Sequence, residues 1–371
     1  MKLTKVVIEN FRQIRELPLD FTDSLGKPRN LILIAGANGS GKTSILDAIG
    51  LALAPSVKFN VPRPNLNITP KSLVRSGNLF ARVTYTVRFS QDELDATTEL
   101  LRASDDRGEI PQEQEVTASW RYPDPGHQHR AGIVTYKPYP SCWKQFEGRV
   151  RAARLLSTNS LPYLPNKQSS WFERVGAAFT FDQQRQGLSK TIRPEIANVI
   201  RNESGDSGEL VTTSDPREIL LTEAIRDSVK SNKGDRRSKY KQIAEAYARV
   251  CSPKRIKGIL LNDYDKPDII FTDGEYEYSY EGLSSGEQMI LLFIIKLVTD
   301  SVHKSILLID EIELHQHPTW QLQLLNLLPK IGIDNQIIAT THSQYLRDSV
   351  NPDSIIDLNS LVDESTSMKQ L

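Results

Sequence analysis

The sequence predicts an α/β fold with a largely parallel sheet at its centre, an antiparallel β subdomain, and a helical region between two α/β segments. Three observations predict it. A continuously apolar run ending at Ala35 enters a glycine-rich loop and then a helical pattern. A second apolar run, Ser305 to Ile309, ends in two acids, Asp310 and Glu311. Strand and helix patterns alternate at both ends of the chain, with different material between them.

The elements follow in order. Val6-Val7-Ile8 is a β-branched run and reads as a short strand. Asn30 to Ala35 is apolar after its first residue, the pattern of a strand buried on both faces. From Lys42 to Ala54, Ile45, Leu46, Ile49 and Leu53 recur at helical spacing. Ala81 to Phe89, Glu115 to Trp120 and Ile133 to Tyr136 read as antiparallel strands, with a helix inserted near Gln91 to Arg102. Tyr122-Pro123-Asp124-Pro125-Gly126 is a strong turn signal. Polar, mostly helical text runs from Pro194 to Val250, with helices at Ile219 to Val229 and Tyr240 to Val250. After Ser252-Pro253 the strand–helix alternation resumes. It runs through Ile269 to Thr272, Gln288 to Val298, Ser305 to Ile309, Pro318 to Leu328 and Gln336 to Ala339.

Composition narrows the class. The chain has 371 residues, enough for roughly two domains of about 150 residues each. With 39% hydrophobic and 25% charged residues, it matches an ordinary globular protein and excludes a disordered chain or a coiled-coil rod. Lys plus Arg and Asp plus Glu are both 46, so any nucleic-acid binding must come from a local patch. Two cysteines, Cys142 and Cys251, build neither a disulfide framework nor a four-thiolate zinc site. The first residues contain no apolar region long enough for a signal peptide. The longest apolar run, Met289 to Ile295, is far short of the ~18 residues that span a bilayer. The expectation is a cytoplasmic protein with no membrane partner.

Two motifs point to nucleotide chemistry. Gly36-Ala37-Asn38-Gly39-Ser40-Gly41-Lys42-Thr43 fits the pattern G-x-x-x-x-G-K-[ST] in full. Its glycines let backbone N–H groups turn toward phosphate oxygens, and the following helix directs its positive end at the same place. Asn38, Gly39, Ser40, Gly41, Lys42, Thr43 and Ser44 are the candidate phosphate-binding residues, with Thr43 also a Mg²⁺ ligand. The acids after Ser305 to Ile309 divide their roles. Asp310 is expected in the Mg²⁺ shell, and Glu311, offset from it, polarises the attacking water.

Leu283-Ser284-Ser285-Gly286-Glu287-Gln288 opens the helix at Met289, and free N–H and hydroxyl groups there form an anion site. This hexapeptide resembles the signature motif of ABC-type ATPases. The order of phosphate loop, signature, Walker B acids and Thr340-Thr341-His342-Ser343 resembles the full ABC order. Ile8-Glu9-Asn10-Phe11-Arg12 is similar to the opening strand of the SMC, RecF and OLD-like ATPases. Asp310-Glu311-Ile312-Glu313-Leu314-His315-Gln316-His317-Pro318 resembles the OLD-like form and departs from that of transporter ATPases.

The resemblance implies a P-loop NTPase with ABC-ATPase-head architecture: a mixed sheet core, an antiparallel β subdomain and a helical lobe. Residues 1–190 are expected to form a nucleotide-binding lobe with the β subdomain, 191–280 a helical insertion, and 281–371 the rest of the ATPase core. It also implies an ATP- and Mg²⁺-dependent homodimer or higher even oligomer. Ser284, Ser285 and Gly286 of one protomer would face ATP held by the other, and His342 would act as the switch histidine on the γ-phosphate. Gln183 and Gln184 are the candidates for the family's Q-loop glutamine, and Arg12 reaches phosphate by the same analogy.

Other features have competing readings. His127-Gln128-His129 and His315-Gln316-His317 have a metal-pair spacing, but the second already belongs to the loop after the acids. Basic clusters lie at Lys230 to Lys241, at Lys254, Arg255 and Lys257, and at Arg149, Arg151 and Arg154. They track nucleic-acid phosphates or are solvated helix ends. The stretch after His342 is too short for the nuclease domain that OLD-like proteins often have. The expected function is an ATP-gated switch in bacterial anti-phage defence, working with a separate effector protein. The alternative is a RecF/SMC-like ATPase acting directly on DNA in repair or recombination.

Overall fold

The computed structural model describes residues 1–53, 73–95, 114–122, 135–137, 178–181, 216–230, 238–261, 267–299, 302–313 and 316–359. The chain forms two compact units. The first comprises Met1–Phe181, Val302–Ile312 and Ile333–Leu371, and the second Asp182–Ser301 and Glu313–Gly332.

In the first unit the strands are β1 (Lys2–Phe11), β2 (Ile14–Asp20), β3 (Leu31–Ala35), β4 (Ala81–Arg88), β5 (Glu115–Tyr122), β6 (Thr135–Lys137) and β7 (Ala178–Phe181). Helix α1 (Lys42–Leu53) follows β3. Five strands make an antiparallel sheet in the order β2-β1-β4-β5-β6. Along β4, Ala81, Val83, Tyr85 and Val87 are buried and alternate with half-buried residues, which is why this sheet reads as period two. β1 is longer than its β-branched run. Its polar residues Thr4, Lys5 and Glu9 interleave with buried Leu3, Val6 and Ile8.

The second sheet of this unit adds segments from late in the chain. In the first unit these are β11 (Ile306–Ile309), β12 (Gln336–Thr341) and β13 (Ile355–Asp357), and the order is β13-β3-β12-β11-β7. All four neighbour pairs are parallel. The antiparallel β subdomain is present as expected, and the core sheet, expected to be mixed, is parallel throughout the described residues. Helix α1 packs in a core shared by both, with Ile45 and Ile49 clustered with Ile8, Phe11, Trp120, Ile34 and Leu308. Every residue of α1 except Thr43 is buried, as expected of a helix covered on all sides. Gln336 joins the two sheets. Its side chain accepts from Leu3 N–H at 2.7 Å and donates to Leu3 O at 2.9 Å and Arg29 O at 3.0 Å.

The second unit holds α2 (Pro216–Lys230), α3 (Lys239–Cys251), β8 (Arg255–Leu261), β9 (Pro267–Thr272), β10 (Glu277–Tyr278), α4 (Ser285–Thr299) and α5 (Pro318–Leu327). The short helix α6 (Gln344–Ser349) returns to the first unit after β12. β8, β9 and β10 form a separate antiparallel sheet. Ile269 to Thr272 thus belongs to this sheet and not to the parallel one. Ile269 and Phe271 are buried and Ile270 between them is half-buried, the pattern of a one-faced strand. Tyr247 of α3 meets Phe271 edge-on at 5.6 Å between ring centroids. Of the expected helix at Gln91 to Arg102, residues 91–95 are helical and the remainder lies outside the described residues. Among the described residues no helix is long and apolar enough to cross a membrane.

Gln336→Leu removes two buried hydrogen bonds between the sheets and a part-buried one to Arg29 O, at little change in volume. The expected loss is about 2–3 kcal/mol, read as a lower urea midpoint with an unchanged slope; an unchanged midpoint would show that the bridge contributes nothing.

Candidate functional site

The first unit builds a phosphate-sized cradle from residues that one strand end places together. β3 stops at Ala35, and the chain turns through Gly36 to Gly41 into α1. Gly39 and Gly41 have φ of 80° and 95°, a backbone region that side chains oppose. At Gly41 a Cβ would also lie 3.1 Å from Gln13 Nε2. The Ser40 hydroxyl, buried within the loop, has no hydrogen-bond partner among protein groups. Asn38 and Gly39 are exposed at the tip of the loop.

Lys42 is 4% exposed. Its ammonium donates to Gly36 O and Ala37 O, each at 2.9 Å, and stands 3.3 Å from His342 Nδ1. An ammonium has only donors, so this contact requires Nδ1 to accept. The other ring nitrogen, Nε2, lies 3.7 Å from Glu311 Oε1. Lys42, His342 and Glu311 thus form one line along the site.

The cation side of the site is equally compact. Thr43 Oγ1 donates toward Asp310, 3.1 Å from Oδ2 and 3.3 Å from Oδ1. Adjacent ligands of an octahedral Mg²⁺ with bonds of 2.0–2.1 Å lie about 3 Å apart. A hydroxyl and a carboxylate at this separation therefore fit one edge of such a shell. Asp310 Oδ1 also accepts from Thr340 Oγ1 at 2.6 Å. Glu311 follows with a φ of 45°, a left-handed conformation that costs a non-glycine residue about 1–3 kcal/mol.

The turn between β1 and β2 rests on the start of α1. Arg12 Nη1 lies 2.9 Å from Asp47 Oδ2 and 3.3 Å from Ser44 Oγ, with its guanidinium 5.5 Å from the Phe11 ring centroid. Arg12 therefore stands at the phosphate-loop helix. Gln13 and Asp47 join this site without a motif to announce them, and Thr340, quoted only as the start of the segment that contains His342, joins it through its own hydroxyl.

The signature residues lie in the second unit. Ser284 and Glu287 form a reciprocal cap at the start of α4. Ser284 N–H and Oγ–H donate to Glu287 Oε2 at 2.9 and 2.6 Å, and Glu287 N–H donates to Ser284 Oγ at 3.4 Å. Ser284 and Ser285 are exposed while Gly286 is buried. Glu287 is fully buried and also meets Lys254 Nζ at 2.9 Å and the Tyr247 hydroxyl at 3.2 Å. Burial opposes its ionised form, but the Ser284 hydrogen bonds and the Lys254 ammonium outweigh it and hold the carboxyl below its ordinary value. Serine followed three residues later by glutamate was the signal for this hub in the sequence.

The remaining candidates separate. His317 caps α5 through Nδ1, which accepts from Thr319 N–H at 3.3 Å, and its ring meets Trp320 edge-on. Lys254 pairs with Glu287, Lys257 with Glu277, and Lys239 donates to Thr299 O at 2.8 Å. These three cations of the basic clusters have partners within the fold. Burial, with the nearby Glu287 charge, pushes the Cys251 thiol up to about 12. Gln183, Gln184, His127, His129, His315, Cys142, Arg149, Arg151 and Arg154, and the basic residues between 231 and 237, lie outside the described residues.

Comparison with known proteins places this geometry in a family. The AAA domain matches residues 5–121, and the AAA ATPase domain matches residues 160–346, half of the chain. The chain belongs to the AAA ATPase domain family. Among individual proteins it is similar to the Septu protein PtuA of Bacillus thuringiensis, 31% identical over 120 residues, 29% of this chain and 30% of PtuA. It is similar to the "Retron Ec83 probable ATPase" of Escherichia coli, 33% identical over 99 residues, 24% of this chain and 18% of that protein. The matches thus span less than a third of either relative. The DNA replication and repair protein RecF of Francisella tularensis subsp. holarctica aligns over 96% of this chain and 99% of its own length, at 21% identity. A solved SMC head bound to the C-winged helix domain of ScpA aligns with a TM-score of 0.49 at 17% identity, over 96% of this chain and 94% of that one.

Glu287 gives the second unit a pH signature. Its carboxyl titrates below the ordinary 4.5, so its contribution is complete above that value and is lost as pH falls through the folded-state value. Glu287→Gln should lower stability by about 2–3 kcal/mol near neutral pH. The gap in urea midpoint to wild type should narrow as pH falls below the ordinary 4.5 and close once pH has passed the lower folded-state value. A gap independent of pH would show that Glu287 is not ionised in the fold.

Proposed function

We propose that this chain is a Mg²⁺-dependent ATP hydrolase that closes as a homodimer around ATP and serves as a switch for a separate effector protein in bacterial anti-phage defence. One observation supports the chemistry above the rest. Lys42, Thr43, Asp310, Glu311 and His342 converge within one compact unit, at the separations given above. The resemblance to the Septu protein PtuA and the retron ATPase supports the defence setting.

The residues divide the work. Lys42 exchanges the carbonyls of Gly36 and Ala37 for phosphate oxygens, and the loop N–H groups surround the same anion. Thr43 and Asp310 would hold Mg²⁺, which supplies charge neutralisation for the phosphates when bound. Glu311 accepts the proton of the attacking water. His342, with Nδ1 freed as Lys42 turns to phosphate, keeps Nε2–H as a donor for the γ-phosphate region. Ser284, Ser285 and Gly286, capping α4, would meet the nucleotide of the opposite protomer. Closure then follows from contacts that only ATP provides, and hydrolysis removes them.

A RecF-like ATPase acting on DNA is the second reading, favoured by the alignment along nearly the whole of RecF. Lys239, Lys254 and Lys257 weigh against it, since each already has a partner within the protein.

Glu311→Gln should lower kcat by about 10²–10³-fold and leave ATP binding intact, and it should sediment as a dimer with ATP. Adding Ser284→Arg should return that variant to a monomer. Turnover at the wild-type rate in Glu311→Gln would end the general-base assignment, and dimers that persist with Ser284→Arg would end the sandwich. Duplex DNA should leave the wild-type rate unchanged; clear stimulation would favour the second reading.

A further inference from the structure

We propose that Thr340 is a positioning residue that sets both acids of the hydrolytic site. The inference rests on the ATPase reading above and concerns a residue to which the motifs assign no role. Thr340 is fully buried at the end of β12 and is paired with Ile34 of β3 on its other side. Its backbone is therefore fixed by the sheet before the site is considered.

Three hydrogen bonds tie this one residue to three consecutive residues of the neighbouring strand end. Its hydroxyl donates to Asp310 Oδ1 at 2.6 Å. The same oxygen accepts from Glu311 N–H at 2.8 Å. Its carbonyl accepts from Ile312 N–H at 3.1 Å. A hydroxyl has one proton to give and lone pairs to receive, so both side-chain bonds are compatible. Glu311 is the residue with the left-handed φ of 45°. A strained conformation persists where its surroundings over-determine it, and the bonds on Asp310, Glu311 and Ile312 do so. The Glu311 side chain leaves that turn toward His342 Nε2, 3.7 Å away.

The geometry separates Thr340 from its neighbour. The Thr341 hydroxyl accepts from Ser343 N–H at 3.0 Å and shapes the turn that presents His342. Thr340 instead acts across to β11. None of its three bonds goes to the phosphate loop or the Lys42 ammonium, so its loss should disturb the chemical step rather than nucleotide capture. Valine keeps the shape and removes the hydroxyl. Serine keeps the hydroxyl and removes the methyl.

The test compares Thr340→Val and Thr340→Ser with wild type and Glu311→Gln in steady-state ATP hydrolysis. Amide hydrogen exchange is read at residues 311 and 312. Thr340→Val should lower kcat by about 10–100-fold, the scale of a misplaced catalytic group, with KM for ATP within about threefold. Thr340→Ser should restore most of the rate. Exchange at the Glu311 amide should rise in Thr340→Val at least about tenfold, while the Ile312 amide, bonded to a backbone carbonyl, keeps its protection.

A folded Thr340→Val with wild-type kcat, a Thr340→Ser as impaired as Thr340→Val, or a loss appearing mainly in KM would each overturn the inference. So would unchanged exchange at Glu311. If wild type hydrolyses no ATP, the ATPase assignment fails by itself, and if Glu311→Gln matches the wild-type rate, the general-base assignment does; in either case the exchange data still decide whether Thr340 holds the turn.

Discussion

Everything at the site depends on parallel strands sharing a direction. β3, β12 and β11 lie side by side in that order, and their C-terminal ends open on the same edge. β3 delivers the phosphate loop, β12 delivers Thr340 and His342, and β11 delivers Asp310 and Glu311. Residues from three distant parts of the chain meet because the register aligns Ile309 with Ala339 and Thr340 with Ile34. A slip of one residue in either pairing would turn these side chains to the other face of the sheet.

The sheet alone does not hold the site. Helix α1 starts with Lys42 and Thr43 and is otherwise wrapped by the two sheets of the first unit. Its burial anchors the loop that must remain poised for phosphate. Arg12 and Asp47 pair at its first turns, and Gln13 approaches Gly41, so the antiparallel sheet also reaches the loop. Gln336 ties that sheet back to β12. The second unit applies the same logic to its own helix start, where a buried carboxylate, Glu287, holds Ser284 directly and is itself held by Lys254 and Tyr247.

Much of this was legible in the sequence, for a physical reason. A phosphate loop needs small residues where φ is positive and a lysine at the helix start. A buried parallel strand has no polar face, so Leu31 to Ala35 and Ile306 to Ile309 declare themselves. What escaped was non-local. β2, β7, β8 and β13 have weak patterns of their own and exist by pairing with stronger strands. β2 includes Pro18, tolerated at a sheet edge. Ile269 to Thr272 read as a strand of the resumed strand–helix alternation, and four residues cannot show which sheet such a strand joins. The roles of Thr340, Gln13 and Gln336 arise only when strands are placed together. The Ser284–Glu287 cap, by contrast, is a local spacing that a closer reading would have found.

The central claim is that the three strand ends compose one working nucleotide site, with Lys42 as its principal contact to phosphate. Calorimetric titration of purified protein with ATP in Mg²⁺, set beside Lys42→Ala, tests it most directly. The account predicts one ATP bound per chain and a loss of affinity of about 100-fold or more in the variant, the scale of removing a charged contact of about 3 kcal/mol. Equal affinity in the two proteins, or no ATP binding by a folded wild type, would contradict it.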